Sequence, residues 1–158
     1  MSDFDLAELK ELSLIQERPD RDQSFNGQFK IPTFVEYVEV AKKFGVKIYP
    51  ETKTPAFFYD ETGVKMEKLL VDELNASGMA REDVIVQSFS PDSLKDVKRL
   101  ADDLKLVILT KIALTTDDLD KLAEAGVYGI GAEKNLVITS ENNRRTGYTD
   151  LVAKSHRL

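Results

Sequence analysis

From Thr33 onward the chain repeats one phrase: a helix with a single apolar face, a stop, then a short apolar run. Thr33 and Glu36 form a capping-box pair, after which Phe34, Tyr37, Val38 and Ala41 share one face until Gly45 ends the helix. Val46 to Tyr49 follows as a strand, closed by Pro50. The phrase recurs with a helix from Val64 to Ser77, a stop at Gly78, and a strand from Val84 to Phe89. Ser90 then caps a helix that carries Pro91 in its first turn and an apolar stripe of Leu94, Val97, Leu100, Ala101 and Leu104, before a strand from Leu106 to Leu109. A helix beginning at Thr116, with Asp117 and Asp118 at its positive end, runs through Leu119, Leu122 and Ala123 to Gly126, and Val127 to Gly131 is the fourth strand. Strands joined through helices by such short connections run parallel, so the class is α/β.

Before and after these units the pattern differs. Leu6, Leu9, Leu12 and Ile15 suit a short amphipathic helix capped by Asp5, and Gln16 to Lys30 is a polar, turn-rich loop. Residues 1–30 are thus a lead-in, and 31–158 the βα units of one domain. After the fourth strand a polar loop passes Asn142, Asn143, Arg144 and Arg145, and Thr149 to Arg157 is helical, with no strand after it. Four parallel strands fit either an open sheet or part of a (β/α) barrel. A whole barrel has eight strands and commonly ~250 residues, so 158 residues with a helix at the end suit about half of one.

Charge and residue types narrow the function classes. The net charge of −6 leaves no cationic excess for a nucleic-acid backbone or an anionic lipid surface. Lys95, Lys98 and Arg99 lie at helical spacing and read as a solvated face. There is no cysteine, which removes thiolate nucleophiles and disulfides. Asp3, Asp5, Glu8 and Glu11 stand where a signal peptide would carry basic and then apolar residues. No apolar run reaches the roughly 20 residues of a membrane helix.

Sites in parallel sheets are built just past the carboxyl ends of the strands. Here those segments are Tyr49 to Lys53, Gln87 to Phe89, Thr110-Lys111, and Gly131 to Lys134. Glu51 and Lys53 stand two apart, so an extended backbone turns them to the same side. A carboxylate there suits a hard divalent cation and an ammonium suits a phosphate oxygen, although such a pair also serves as a surface ion pair. Gln87 and Ser88 offer hydrogen-bond donors, but Ser88 has no histidine nearby and suits a turn or cap better than a nucleophile. Gly129 and Gly131 lack the third glycine of a dinucleotide loop. His156, the single histidine, lies on the last helix with Lys154 and Arg157 and reads as surface.

The stretch Arg21-Asp22-Gln23-Ser24-Phe25-Asn26-Gly27-Gln28-Phe29-Lys30-Ile31-Pro32-Thr33-Phe34 resembles the segment before the fourth strand of glycerophosphodiester phosphodiesterases, particularly the periplasmic bacterial type and its relatives. Tyr49-Pro50-Glu51-Thr52-Lys53 resembles that family's Glu-x-Lys strand end, Val86-Gln87-Ser88-Phe89 its fifth strand, and Gly129-Ile130-Gly131 with Lys134 its seventh. The likeness runs from about Asp5 to Leu158. It implies a partial (β/α) TIM-type barrel, in which the four strands are the fourth to seventh.

The resemblance further implies metal-dependent hydrolysis of a small-molecule glycerophosphodiester to an alcohol and glycerol 3-phosphate, with Ca2+ or Mg2+. By position Glu51 resembles a metal-ligating carboxylate, Lys53 the catalytic group that steadies phosphoryl charge, and Gln87, Ser88 and Phe89 residues that line the substrate pocket. The family's histidine-arginine-glycine motif, Glu-x-Asp metal pair, second histidine and eighth-strand tryptophan have no counterpart here. The chain alone is therefore expected to be inactive, and to self-associate or join a complementary barrel half. Members are often exported, which leaves the compartment open. The alternative reading is a non-catalytic remnant or split-barrel subunit that binds a ligand or partner.

Overall fold

The computed structural model describes residues 4–142 and 144–156. Asn143 and Arg157, placed above in the polar loop and the last helix, lie outside the described residues.

Helix α1 (Leu6–Glu11) is closed at its start by a capping box in which Asp5 accepts from the Glu8 N–H and Glu8 accepts from the Asp5 N–H. It buries nothing: Leu6, Leu12 and Ile15 are all exposed. Lys10 ties it to the body by donating to the Ile31 carbonyl, 3.0 Å, and to Glu36. The loop that follows is pinned by a Ser13–Lys30 bridge and by Asn26 Oδ1, which accepts from the Gln16 N–H.

The βα units form as their caps and periodicity dictate. Thr33 caps α2 (Phe34–Phe44) in a second capping box, and Gly45 ends it at φ 60°, a left-handed conformation that costs a residue without Cβ least. Strands β1 (Ile85–Ser88), β2 (Lys105–Thr110) and β3 (Gly129–Ala132) make a parallel sheet in that order. Between them run α5 (Pro91–Leu100), capped by Ser90, and α6 (Thr116–Glu124), capped by Thr115 with Asp118 completing the box.

Three expectations need correction, and one helix is added. The run Val46 to Tyr49 is not a full strand, because only Ile48 and Glu51 form parallel bridges to Val84 and Gln87. The helix expected from Val64 to Ser77 forms as α4 (Met66–Ser77), and ahead of it stands an unforeseen helix, α3 (Pro55–Thr62), which Gly63 stops at φ 67°. The polar loop folds into an antiparallel hairpin, β4 (Ile138–Glu141) and β5 (Arg144–Tyr148), whose mostly exposed residues show no hydrophobic alternation. The last helix, α7, spans only Leu151–Ser155.

Burial splits the sheet into two faces. Ile48, Val84, Val86, Leu106 and Ile108 pack against α2, α4 and α5 through Val38, Leu74, Leu94 and Val97. Three stripe members fail: Tyr37, Leu100 and Ala123 are exposed. The alternate strand residues Ile85, Gln87 and Leu109 stay partly exposed on the opposite face, where Val107 is buried beside the glycines of β3.

Candidate functional site

The segment after Ile48 is laid along the carboxyl end of β1 by two backbone bonds. Gln87 donates to the Pro50 carbonyl, 2.9 Å, and Thr52 donates to the Gln87 carbonyl, 3.0 Å. Thr52 turns inward, 2% exposed, and its hydroxyl meets that of Ser93 at 2.8 Å. Alternation then sends Glu51 and Lys53 away from the helix layer, where both are exposed.

Ser88 locks this arrangement. It is fully buried, its hydroxyl donates to the Thr52 carbonyl at 3.0 Å, and it accepts from the Ser90 N–H at 3.1 Å. Gln87 also works within the scaffold, since its side-chain amide donates to the Tyr49 carbonyl at 3.1 Å. Burial pushes the Tyr49 phenol above its ordinary pKa.

Glu51, Lys53, Ser88 and Phe89 border one open cavity of ≈ 640 Å³. Gln87 is not part of that wall. Two further contributors had been given no role from sequence. Lys111, just past β2, extends its ammonium over the Phe89 ring, 5.4 Å from the centroid. The first turn of α3, Pro55 to Phe57, closes another side. First-turn N–H groups have no partner inside a helix and suit an anion. The sequence signals were a lysine directly after a strand, and Pro55 at a helix start.

Thr54 joins the strand end to α3 at φ 48°, ψ 49°. That left-handed conformation is costly for a β-branched residue, about 1–3 kcal/mol, and such strain collects at functional sites. The cavity thus sets two ammonium groups and one carboxylate around a strained turn. Its charge suits an anion with a phosphate's reach better than a neutral ligand.

The glycines of β3 play a different part. A Cβ at Gly131 would stand 2.5 Å from Leu109 Cδ2, so this position serves close packing on the sheet. Lys134 sits in the exposed turn after β3. His156 lines a separate cavity of ≈ 410 Å³ with Leu119, Ile130 and Leu151, distant in the fold from Glu51.

The model of the glycerophosphoryl diester phosphodiesterase family matches residues 1–158. The chain belongs to that family. Among its relatives, the glycerophosphodiester phosphodiesterase GDPD6 of Arabidopsis thaliana is 33% identical over 181 residues, covering 98% of this chain and 49% of that protein. The solved structure of a glycerophosphodiester phosphodiesterase from Parabacteroides distasonis superposes with a TM-score of 0.59 at 23% identity, over 82% of this chain and 48% of that one. A protein assigned to the same activity from Galdieria sulphuraria gives 0.61 at 23% identity, over 80% and 46%. The chain therefore spans about half the length of these relatives. With its parallel sheet and alternating helices it is an α/β protein with the fold of a partial (β/α) barrel.

Proposed function

We propose that this glycerophosphoryl diester phosphodiesterase family chain supplies the phosphate-contacting part of a site that hydrolyses glycerophosphodiesters to an alcohol and glycerol 3-phosphate. The observation that carries this reading is the shared wall of Glu51, Lys53, Phe89 and Lys111 at the carboxyl ends of adjacent parallel strands. Lys53 and Lys111 would offset the charge that grows on the phosphoryl oxygens as the ester bond breaks, and the first turn of α3 would add N–H donors. Phe89 holds the Lys111 ammonium in place. Gln87 and Ser88 act as positioning residues, since their side chains are spent on Tyr49, Thr52 and Ser90.

The divalent ion that the family likeness implies does not find a full set of ligands here. Among the described residues no three His, Asp or Glu side chains converge on one point. Glu51 offers one carboxylate, whereas Ca2+ takes six to eight oxygens. Proton transfer has no ready histidine either, because His156 belongs to another cavity. Residues outside this chain would have to supply both, and the partly exposed face of the sheet is where a complementary barrel half would seat.

A complementation assay tests the reading. The chain alone with Ca2+ should release no glycerol 3-phosphate from glycerophosphocholine. Combined with the amino-terminal half of the Arabidopsis relative it should do so, and Lys53→Met should lower kcat by about 10²-fold. Turnover by the isolated chain, or a complex that forms and hydrolyses equally well with Lys53→Met, would refute it.

A further inference from the structure

Glu51 and Lys53 are exposed at the rim, and among the described residues neither side chain makes a hydrogen bond or an ion pair. Lys111 differs, because the Phe89 ring lies beneath its ammonium. Where the other two side chains point is therefore set by the backbone of residues 50–54.

That backbone is held from three sides at a single residue. Thr52 donates its N–H to the Gln87 carbonyl at 3.0 Å, its carbonyl accepts from the Ser88 hydroxyl at 3.0 Å, and its own hydroxyl shares a 2.8 Å hydrogen bond with that of Ser93. The first two partners belong to β1, whereas Ser93 stands in the first turn of α5. Ser93 is only 3% exposed and adjoins Leu94 in the core cluster, so it is fixed to the packed helix layer. Among the described residues, the Thr52 hydroxyl makes the one side-chain hydrogen bond from residues 50–54 to a helix. Two residues further on, at Thr54, the chain turns left-handed.

The choice of residue type at this position carries information. Alternation that turns Glu51 and Lys53 outward turns residue 52 inward, where a polar side chain is costly unless it is hydrogen-bonded. Volume alone would be met by valine, which has no hydroxyl to satisfy. Threonine adds a directional bond, and because Ser93 answers it, neither hydroxyl is stranded. Such a bond fixes how residue 52 is rotated about the chain axis, and with it the directions taken by the side chains before and after it.

We infer that Thr52 is a positioning residue which, through Ser93, sets the direction of Glu51 and Lys53. It acts through its two neighbours and not on the ligand. Its consequence for binding rests on the phosphate reading of the rim, whereas the constraint on the rim backbone does not.

The test compares Thr52→Val, Thr52→Ser, Ser93→Ala and the double variant of Thr52→Val with Ser93→Ala, each in the full chain labelled with 15N. One readout needs no ligand: the heteronuclear NOE of the Glu51 and Lys53 amides should fall in Thr52→Val and Ser93→Ala as the rim gains fast motion. Affinity for glycerol 3-phosphate should weaken about fivefold in the same two variants and stay within about twofold of the parent in Thr52→Ser, which keeps the hydroxyl. Urea denaturation separates positioning from stability. Either Thr52→Val or Ser93→Ala alone leaves one buried hydroxyl without its partner and should lower the midpoint, and the double variant, with both hydroxyls gone, should regain much of it. Its NOE values and affinity should nevertheless stay low. Leu74→Ala supplies the converse, a larger loss of stability with unchanged affinity. If Thr52→Val does not fold, Ser93→Ala and the double variant decide. Affinity and NOE that recover with the midpoint in the double variant, or that Thr52→Ser lowers as far as Thr52→Val does, would overturn the inference, as would NOE values unmoved by Thr52→Val. A parent chain that does not bind glycerol 3-phosphate, with the NOE loss seen in Thr52→Val, would strike the phosphate reading and spare this one.

Discussion

On the helix-covered face of the sheet Ile48, Val84, Val86, Leu106 and Ile108 are all buried, whereas on the other face Val107 is buried but Ile85, Gln87 and Leu109 remain partly exposed. The two sets alternate along the same strands, so backbone and propensity are shared and only the surroundings differ. On the covered face, volume decides the residue type, and branched aliphatic side chains fill the space beneath α2, α4 and α5. On the other face and its rim the residues are mixed, with Gln87 beside Glu51, Lys53 and Lys111. Most of the apolar burial lies on one side of the sheet, and the chemistry on the other.

That division can be broken most forcefully by truncating one residue on each side. Leu74→Ala removes a side chain that is 1% exposed in the core, and should cost about 2–5 kcal/mol in urea denaturation. Leu109→Ala on the partly exposed face should cost less than half as much. Equal losses would mean that the second face is also a packed core.

The seam between the two faces offers a sharper probe. Ser88 is buried with the core but holds the rim, so Ser88→Ala strands the Thr52 carbonyl and the Ser90 N–H. The expected cost is about 1–3 kcal/mol. The same change should weaken ligand binding in the adjoining cavity, whereas Leu109→Ala should not. A ligand affinity that ignores Ser88 would sever the proposed link between scaffold and site.

The smallest effect concerns the outer rim. The Lys65 ion pair holds the Asp96 carboxyl below its ordinary value of 3.8. A carboxyl depressed in the folded state contributes stability above its unfolded pKa and loses it as pH falls through the folded value. Asp96→Asn should therefore be slightly less stable than the parent at neutral pH, with the difference shrinking as pH falls below the ordinary carboxylate range and through the lowered folded value. A difference that grows on acidification would contradict the pairing.

Periodicity and caps made most of the architecture legible in the sequence. Asp5, Thr33 and Ser90 cap the helices they were assigned, and the parallel order follows from short connections around helices. The hairpin from Ile138 to Tyr148 was hidden because its strands are exposed on both sides and carry no alternation. The short helix α3 was hidden by its composition, since Pro55-Ala56-Phe57-Phe58 shows no helical stripe and none of its residues is buried. At the site, spacing alone placed Glu51 and Lys53 on one side. Lys111 required three dimensions, since it reaches the cavity from a different strand.

The central claim is that Lys53 and Lys111 flank a seat for phosphate. Its most direct test is a titration of the chain with glycerol 3-phosphate in metal-free buffer, followed by amide shifts. The account predicts saturable changes at Lys53, Phe89, Ser90 and Lys111, weakened several-fold by Lys53→Met and by Lys111→Met, and strengthened by Glu51→Gln because the carboxylate repels the anion when no cation intervenes. Shifts centred on the His156 cavity, or binding indifferent to both lysines, would contradict it.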